Sequence, residues 1–182
     1  VDAPTEKEAV KYAKKALELD EYCTDAEVMI ADIQYGRDPE KFKKKFEKII
    51  AKTEKHLREE GFFDDDCIGD FWGILETRPY IRARHAYIEL LLALGKYKKA
   101  VEECEEMLEL NSSDNTGIRY TLMGLYAHFE DEVSAMRLYK KYNECSVHML
   151  LPLIALYYKA DSYKTAEKYL RLIRGEGFDG FF

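Results

Sequence analysis

The sequence predicts an all-α fold, an α-α superhelix of antiparallel helix pairs with about nine helices. Three observations lead there. Apolar residues recur at three- and four-residue spacing along most of the chain, and no run alternates with period two for long. Between Arg78 and Leu110 two amphipathic stretches flank a short turn at Gly95. The small residue that opens the second stripe, Ala100, recurs as Ala135 and Ala166, at intervals of 35 and 31 residues.

The elements follow in order. Asp2, Pro4, Thr5 and Glu8 make a helix start, with Thr5 and Glu8 at capping-box spacing, and the helix should run to about Leu19. Thr24 and Asp25 open a second helix that carries Val28, Met29, Ile30 and Ile33 and ends near Gly36. Asp38-Pro39 pairs a cap with a first-turn proline, so a third helix covers about 39–60. Phe42, Phe46, Ile49, Ile50 and Leu57 give it an apolar side, and Lys41, Lys43, Lys44, Lys45 and Lys48 a basic one. That basic stripe reads as a solvated face, with contact to an acidic partner as the alternative.

Gly61 to Thr77 breaks the register. Ala9 to Ala100 spans 91 residues, too long for two repeats, so an insertion or an enlarged repeat lies between them. Phe62, Phe63, Phe71 and the single tryptophan, Trp72, should fold back onto the neighbouring helices, as plain packing or as a lid. Asp64, Asp65, Asp66 and Asp70 lack the ligand spacing of a calcium loop, and capping of a short helix around 69–75 accounts for them.

Ile81, Ala83, Tyr87, Ile88, Leu91 and Leu94 form the apolar stripe of the next helix, and Gly95 supplies its stop. After Tyr97, the residues Ala100, Val101, Cys104, Met107, Leu108 and Leu110 line the returning helix. Further on, Glu130 and Asp131 stand where a turn glycine is expected, so that turn reads as degenerate. Pro152 should kink its helix or mark its start. Phe178, Phe181 and Phe182 suggest a contact with a further repeat, or self-association through that end.

Gly95-x-Tyr97, then Ala100 and Cys104, repeated at Ala135 with Tyr139 and at Ala166 with Leu170, resembles the tetratricopeptide repeat. The resemblance covers roughly residues 79–174 well and 1–35 loosely. Ser112 and Glu21 stand where the family usually has proline after the second helix. It implies one repeat domain over 1–182, with degenerate repeats over 1–60, an aromatic and acidic connector at 61–78, and three clearer repeats over 79–182. It also implies a concave groove lined by the first helix of each pair, which takes a protein or peptide. The groove positions fall on Arg82, His85 and Glu89, then on Tyr120 and His128, then on Tyr158 and Lys159. His85, Glu89, Tyr120 and Gly124 do not reproduce the clamp that holds a terminal carboxylate in some such domains. Arg78 and Arg119 are expected to brace helix starts against a carboxylate such as Glu76 or Asp114, leaving Arg82 as the ligand candidate.

Composition narrows the function classes. The net charge of −7 disfavours binding by phosphate neutralisation, so no nucleic-acid partner is expected. No 18-residue apolar run or basic-led leader is present, so no membrane partner is expected and a cytoplasmic location is. The chain lacks an initiating Met, as a fragment would. Cys23, Cys67, Cys104 and Cys145 form no CxxC pair and read as reduced, mostly buried thiols. No nucleophile elbow or phosphate loop occurs, and Cys145 with His148 lacks an orienting acid, so no enzyme, cofactor or metal is expected. The alternatives are a self-associating helical module that uses the aromatic tail as a homo-oligomer contact, and a metal-dependent enzyme built on Asp64–Asp70 and a groove histidine.

Overall fold

The Thr5 hydroxyl accepts the Glu8 amide at 3.4 Å while Glu8 accepts the Thr5 amide at 2.9 Å. This capping box opens the first of nine helices in the computed structural model, which describes residues 5–175. Among the described residues the helices are α1 (Glu6–Leu19), α2 (Thr24–Tyr35), α3 (Pro39–Glu59), α4 (Arg78–Ala93), α5 (Tyr97–Leu110), α6 (Ile118–His128), α7 (Glu132–Tyr142), α8 (Val147–Lys159) and α9 (Tyr163–Gly175). The same residues hold no strand, only isolated bridges from Gly69 and Asp70 to Asn111. The fold is all-α. The aromatic tail at Phe178, Phe181 and Phe182, and with it the expected oligomer contact, lies outside the described residues.

The chain divides into two compact units, Val1–Thr116 and Gly117–Phe182. In the first, each helix packs on the next from α1 to α5, and α4 also reaches past α3 to α2. In the second, α6 packs on α7, α7 on α8 and α8 on α9, and α8 reaches past α7 to α6. A pair laid against the preceding pair, with its first helix touching both earlier helices, is the contact pattern of a helical repeat. Ala100, Ala135 and Ala166 are all buried, as close helix approach requires. Phe46, Ile49, Tyr80, Ile81, Ile88, Leu91 and Met107 fill the first core, and Leu122, Met123, Met149, Leu150 and Leu153 the second.

The turns that follow α4, α6 and α8 share one geometry. Gly95 has φ +68° and is followed by a hydrogen bond from the Lys96 amide to the Leu91 carbonyl, 2.8 Å. Glu130 (φ +58°) precedes the same bond from Asp131 to Tyr126, and Asp161 (φ +53°) the same bond from Ser162 to Tyr157. All three are Schellman-type ends in the left-handed region, and only the first uses glycine. The turn that reads as degenerate therefore keeps its shape.

Three expectations are corrected in whole or in part. No helix forms around residues 69–75. The Gly69 and Phe71 amides instead donate to the Leu110 carbonyl at 3.1 and 3.0 Å, and the Gly69 carbonyl accepts the Ser112 amide at 2.9 Å. With those groups committed to the end of α5, the segment has no local ladder to build. Phe71 is fully buried beside Phe63 and Tyr80, so the connector packs as part of the core. In addition, α8 begins at Val147, ahead of Pro152, and runs through the proline. Of the four free cysteines only Cys104 is buried; the others are partly exposed, fewer buried thiols than expected. Burial pushes the Cys104 thiol up to about 12.

Candidate functional site

The first helices of successive pairs carry the expected groove residues. In the second unit, helical spacing puts Tyr120, Gly124, Ala127 and His128 on one stripe of α6. His148, Leu151, Ala155 and Tyr158 share a stripe of α8. The stripes are held together at both ends. The Tyr120 and His148 rings lie 5.3 Å apart near the helix starts, and Lys159 meets Glu130 at 2.8 Å near their ends. The two helices therefore run side by side in the same direction.

This face is open. Leu151 is 44% exposed and Tyr158 64% exposed, and Gly124, His128, His148 and Ala155 are exposed as well. A Cβ added at Gly124 would meet nothing within 4 Å. The Tyr158 ring lies 5.2 Å from that of Tyr163, and the His128 ring lies 5.1 Å from Phe129.

Tyr120 is fixed by a polar cluster. Its hydroxyl donates to Glu144 at 2.5 Å and accepts from Arg119 at 2.6 Å, and the Arg119 guanidinium also reaches Glu144 at 2.9 Å. The same guanidinium lies 4.2 Å from the Tyr120 ring centre and 5.3 Å from that of Tyr142. The hydrogen bond to Glu144, with burial, raises the Tyr120 hydroxyl above its ordinary pKa. Burial pushes Glu144 up, but the hydrogen bonds from Tyr120 and Arg119 outweigh it and hold the carboxyl below its usual range. Arg119 thus braces its helix through Glu144.

In the first unit, Arg82, His85 and Glu89 share the outer stripe of α4. Arg82 is half exposed and makes a forked ion pair with Asp25 on α2, its Nε 3.2 Å from the carboxylate. The hydrogen bond with Asp25 raises the guanidinium pKa, against the opposing effect of burial. The residue expected to grip a ligand is therefore already joined to a carboxylate of its own chain. His85 is half buried, with Nε2 3.9 Å from the exposed Glu89. Arg78 braces the start of α4 by donating to the Trp72 carbonyl at 2.7 Å and lying 5.7 Å from the indole centre.

Sequence reasoning missed Arg84. Two residues beyond Arg82, it points roughly the opposite way from α4. Its side chain is 5% exposed and its guanidinium donates to both Glu103 and Glu106 of α5. Tyr80 stands beside it, and the Tyr80 hydroxyl reaches Glu54 of α3 at 3.2 Å. Tyr80, Arg84, Glu54 and Glu106 line a cleft of about 530 Å³ with Arg58, Phe63, Ile68 and Glu109. A signal was there: Arg84 falls three residues after Ile81 and four before Ile88, on the apolar stripe of α4, whereas Arg82 shares the outer stripe with His85 and Glu89.

Among the described residues no three His, Cys, Asp or Glu side chains are placed to hold a metal ion. No helix among them is long and apolar enough to cross a membrane. No known protein family and no curated protein sequence matches this chain.

Proposed function

We propose that this chain is a tetratricopeptide-like helical repeat that binds a segment of another protein on the outer faces of its first helices. The observation that carries the reading is Gly124. A glycine inside an exposed helix costs about 0.5–1 kcal/mol relative to alanine. Its φ is not in the left-handed region and the space over it is open, so the fold itself does not require it. A bare helix backbone lets another chain approach closely. Leu151 and Tyr158 on α8 offer apolar and aromatic anchors beside it, and Tyr120, His128 and Lys159 offer polar ones. The binding is recognition alone, with no chemical step.

The test is affinity capture from lysate with the wild type, Gly124→Arg and Leu151→Asp proteins. Both substitutions sit on the exposed face and leave the core untouched. The expected result is a partner retained by the wild type and lost by both variants. An identical set of captured proteins from all three would refute this face as the binding surface. Arg82→Ala is a poorer probe, because it also releases Asp25.

A further inference from the structure

Charges on α3 are arranged in two ways. Three pairs of opposite sign stand four residues apart and join: Lys43 with Glu47 at 2.6 Å, Glu54 with Arg58 at 2.6 Å, and Lys55 with Glu59 at 3.7 Å. The outer stripe of the first half does the reverse. There Lys45 follows Lys41, and Lys48 follows Lys44, at the same four-residue spacing. Like charges so placed destabilise a helix. Among the described residues Lys44, Lys45 and Lys48 meet no carboxylate at ion-pair distance, although acidic residues outnumber basic ones by 35 to 28. Asp38, at the head of the stripe, is already committed. It accepts the Lys41 amide at 3.2 Å as the cap of α3 and pairs with the Lys41 ammonium at 2.7 Å.

These lysines also enclose space. Lys41, Lys44, Lys45 and Lys48 line a recess of about 210 Å³ with Tyr35, the last residue of α2, and no acidic side chain joins them in its walls. A concave surface of one sign concentrates ions of the other. An anion held there would relieve a repulsion that the fold leaves uncompensated.

The surroundings narrow the kind of anion. Among the described residues no exposed large apolar side chain lies on α3, so the stripe has nothing to insert into a bilayer. The net charge of −7 opposes the phosphate backbone of a nucleic acid. From Lys41 to Lys48 the helix rises about 10 Å, the length of three residues of extended chain. We infer that this stripe docks an acidic segment of a partner protein, its successive carboxylates laid along Lys44, Lys45 and Lys48 with one seated in the recess beside Tyr35. The inference does not rest on the α6–α8 face, and either surface can fail without the other.

The test titrates the full chain, isotopically labelled, with acetyl-Glu-Glu-Glu-Glu-amide and follows amide chemical shifts. Saturable shifts are expected at Tyr35 and over residues 41–48, with affinity falling as salt rises. Lys44→Gln/Lys48→Gln should bind at least about fivefold more weakly, and acetyl-Gln-Gln-Gln-Gln-amide should not saturate. The double variant removes charges that repel, so its Tm should be no lower than that of the wild type. A lower Tm would show that the two lysines are partnered within the fold and would overturn the inference. The internal control is α1, where Lys7, Lys11, Lys14 and Lys15 line a recess that also includes Glu18. Shifts as large on α1 as on α3, equal affinity in the variant, or no saturation below about 10 mM would each overturn the assignment. Cosedimentation with phosphatidylserine vesicles, lost in the variant and without saturable peptide shifts, would overturn it in favour of a lipid surface.

Discussion

Replacing Arg84 by Met tests how the first unit is held together. The substitution keeps the length of the side chain and removes its charge. Glu103, 10% exposed, would then keep Lys99 at 3.1 Å as its remaining cation, while Glu106 is exposed enough to turn to water. Removing one partner of a buried ion pair costs about 3–5 kcal/mol, because the other charge is left without compensation. Lys99 offsets part of this, so Arg84→Met should cost about 3 kcal/mol. The double variant Arg84→Met/Glu103→Leu removes the stranded charge and the unmade Nε donor together, and it should recover to within about 1 kcal/mol of the wild type. Urea unfolding followed by Trp72 fluorescence reads the effect, since the single tryptophan lies in the same unit. A loss below about 1 kcal/mol for the single variant, or a double variant no more stable than the single, would refute the account of a charge pair buried at a cost.

Three other outcomes follow from the packing. Ala100→Leu should overpack the crossing of α4 and α5, where Ala100 is fully buried, and cost about 1–3 kcal/mol by the same assay; a neutral effect would mean that the crossing is loose. Gly124→Ala should stabilise the protein by about 0.5–1 kcal/mol, because the added methyl meets no atom, and destabilisation would show a role for the bare backbone within the fold. Asp131 caps α7 by accepting the Ser134 amide at 3.0 Å, so Asp131→Ala should cost about 1 kcal/mol at neutral pH. That hydrogen bond holds its folded pKa below the ordinary 3.8. The cap's contribution is present above the unfolded value and fades as pH falls through the lower folded one. The stability gap between wild type and variant should therefore narrow below about pH 4, and a gap constant down to pH 2 would remove the charge from the explanation.

Local chemistry was legible and distant partnership was not. The capping box at Thr5 and the Asp38-Pro39 start mark helices whose first residues need nothing beyond their own turn. The turn at Glu130 was harder to read, because a sequence advertises a left-handed residue chiefly by glycine, asparagine or aspartate. The geometry there, as at Asp161, is set by hydrogen bonds from Asp131 and Ser162 back to Tyr126 and Tyr157, and by the helices on either side. The connector failed for the opposite reason. Its amides are satisfied at Leu110, some forty residues away, and a local reading of Asp70 as a cap has no access to that bond.

The candidate site divides along the same line. Helical spacing alone places Tyr120 with His128 and Arg82 with Glu89 on common stripes. It does not reveal that Arg82 is joined to Asp25, 57 residues earlier, or that Arg84 meets two glutamates of the next helix. A charged side chain on an amphipathic helix is assigned to solvent unless its partner is known. Spacing sets Arg84 between Ile81 and Ile88 on the buried stripe of α4 and Glu103 between Ala100 and Met107 on that of α5, but it does not show that these two charges meet each other there.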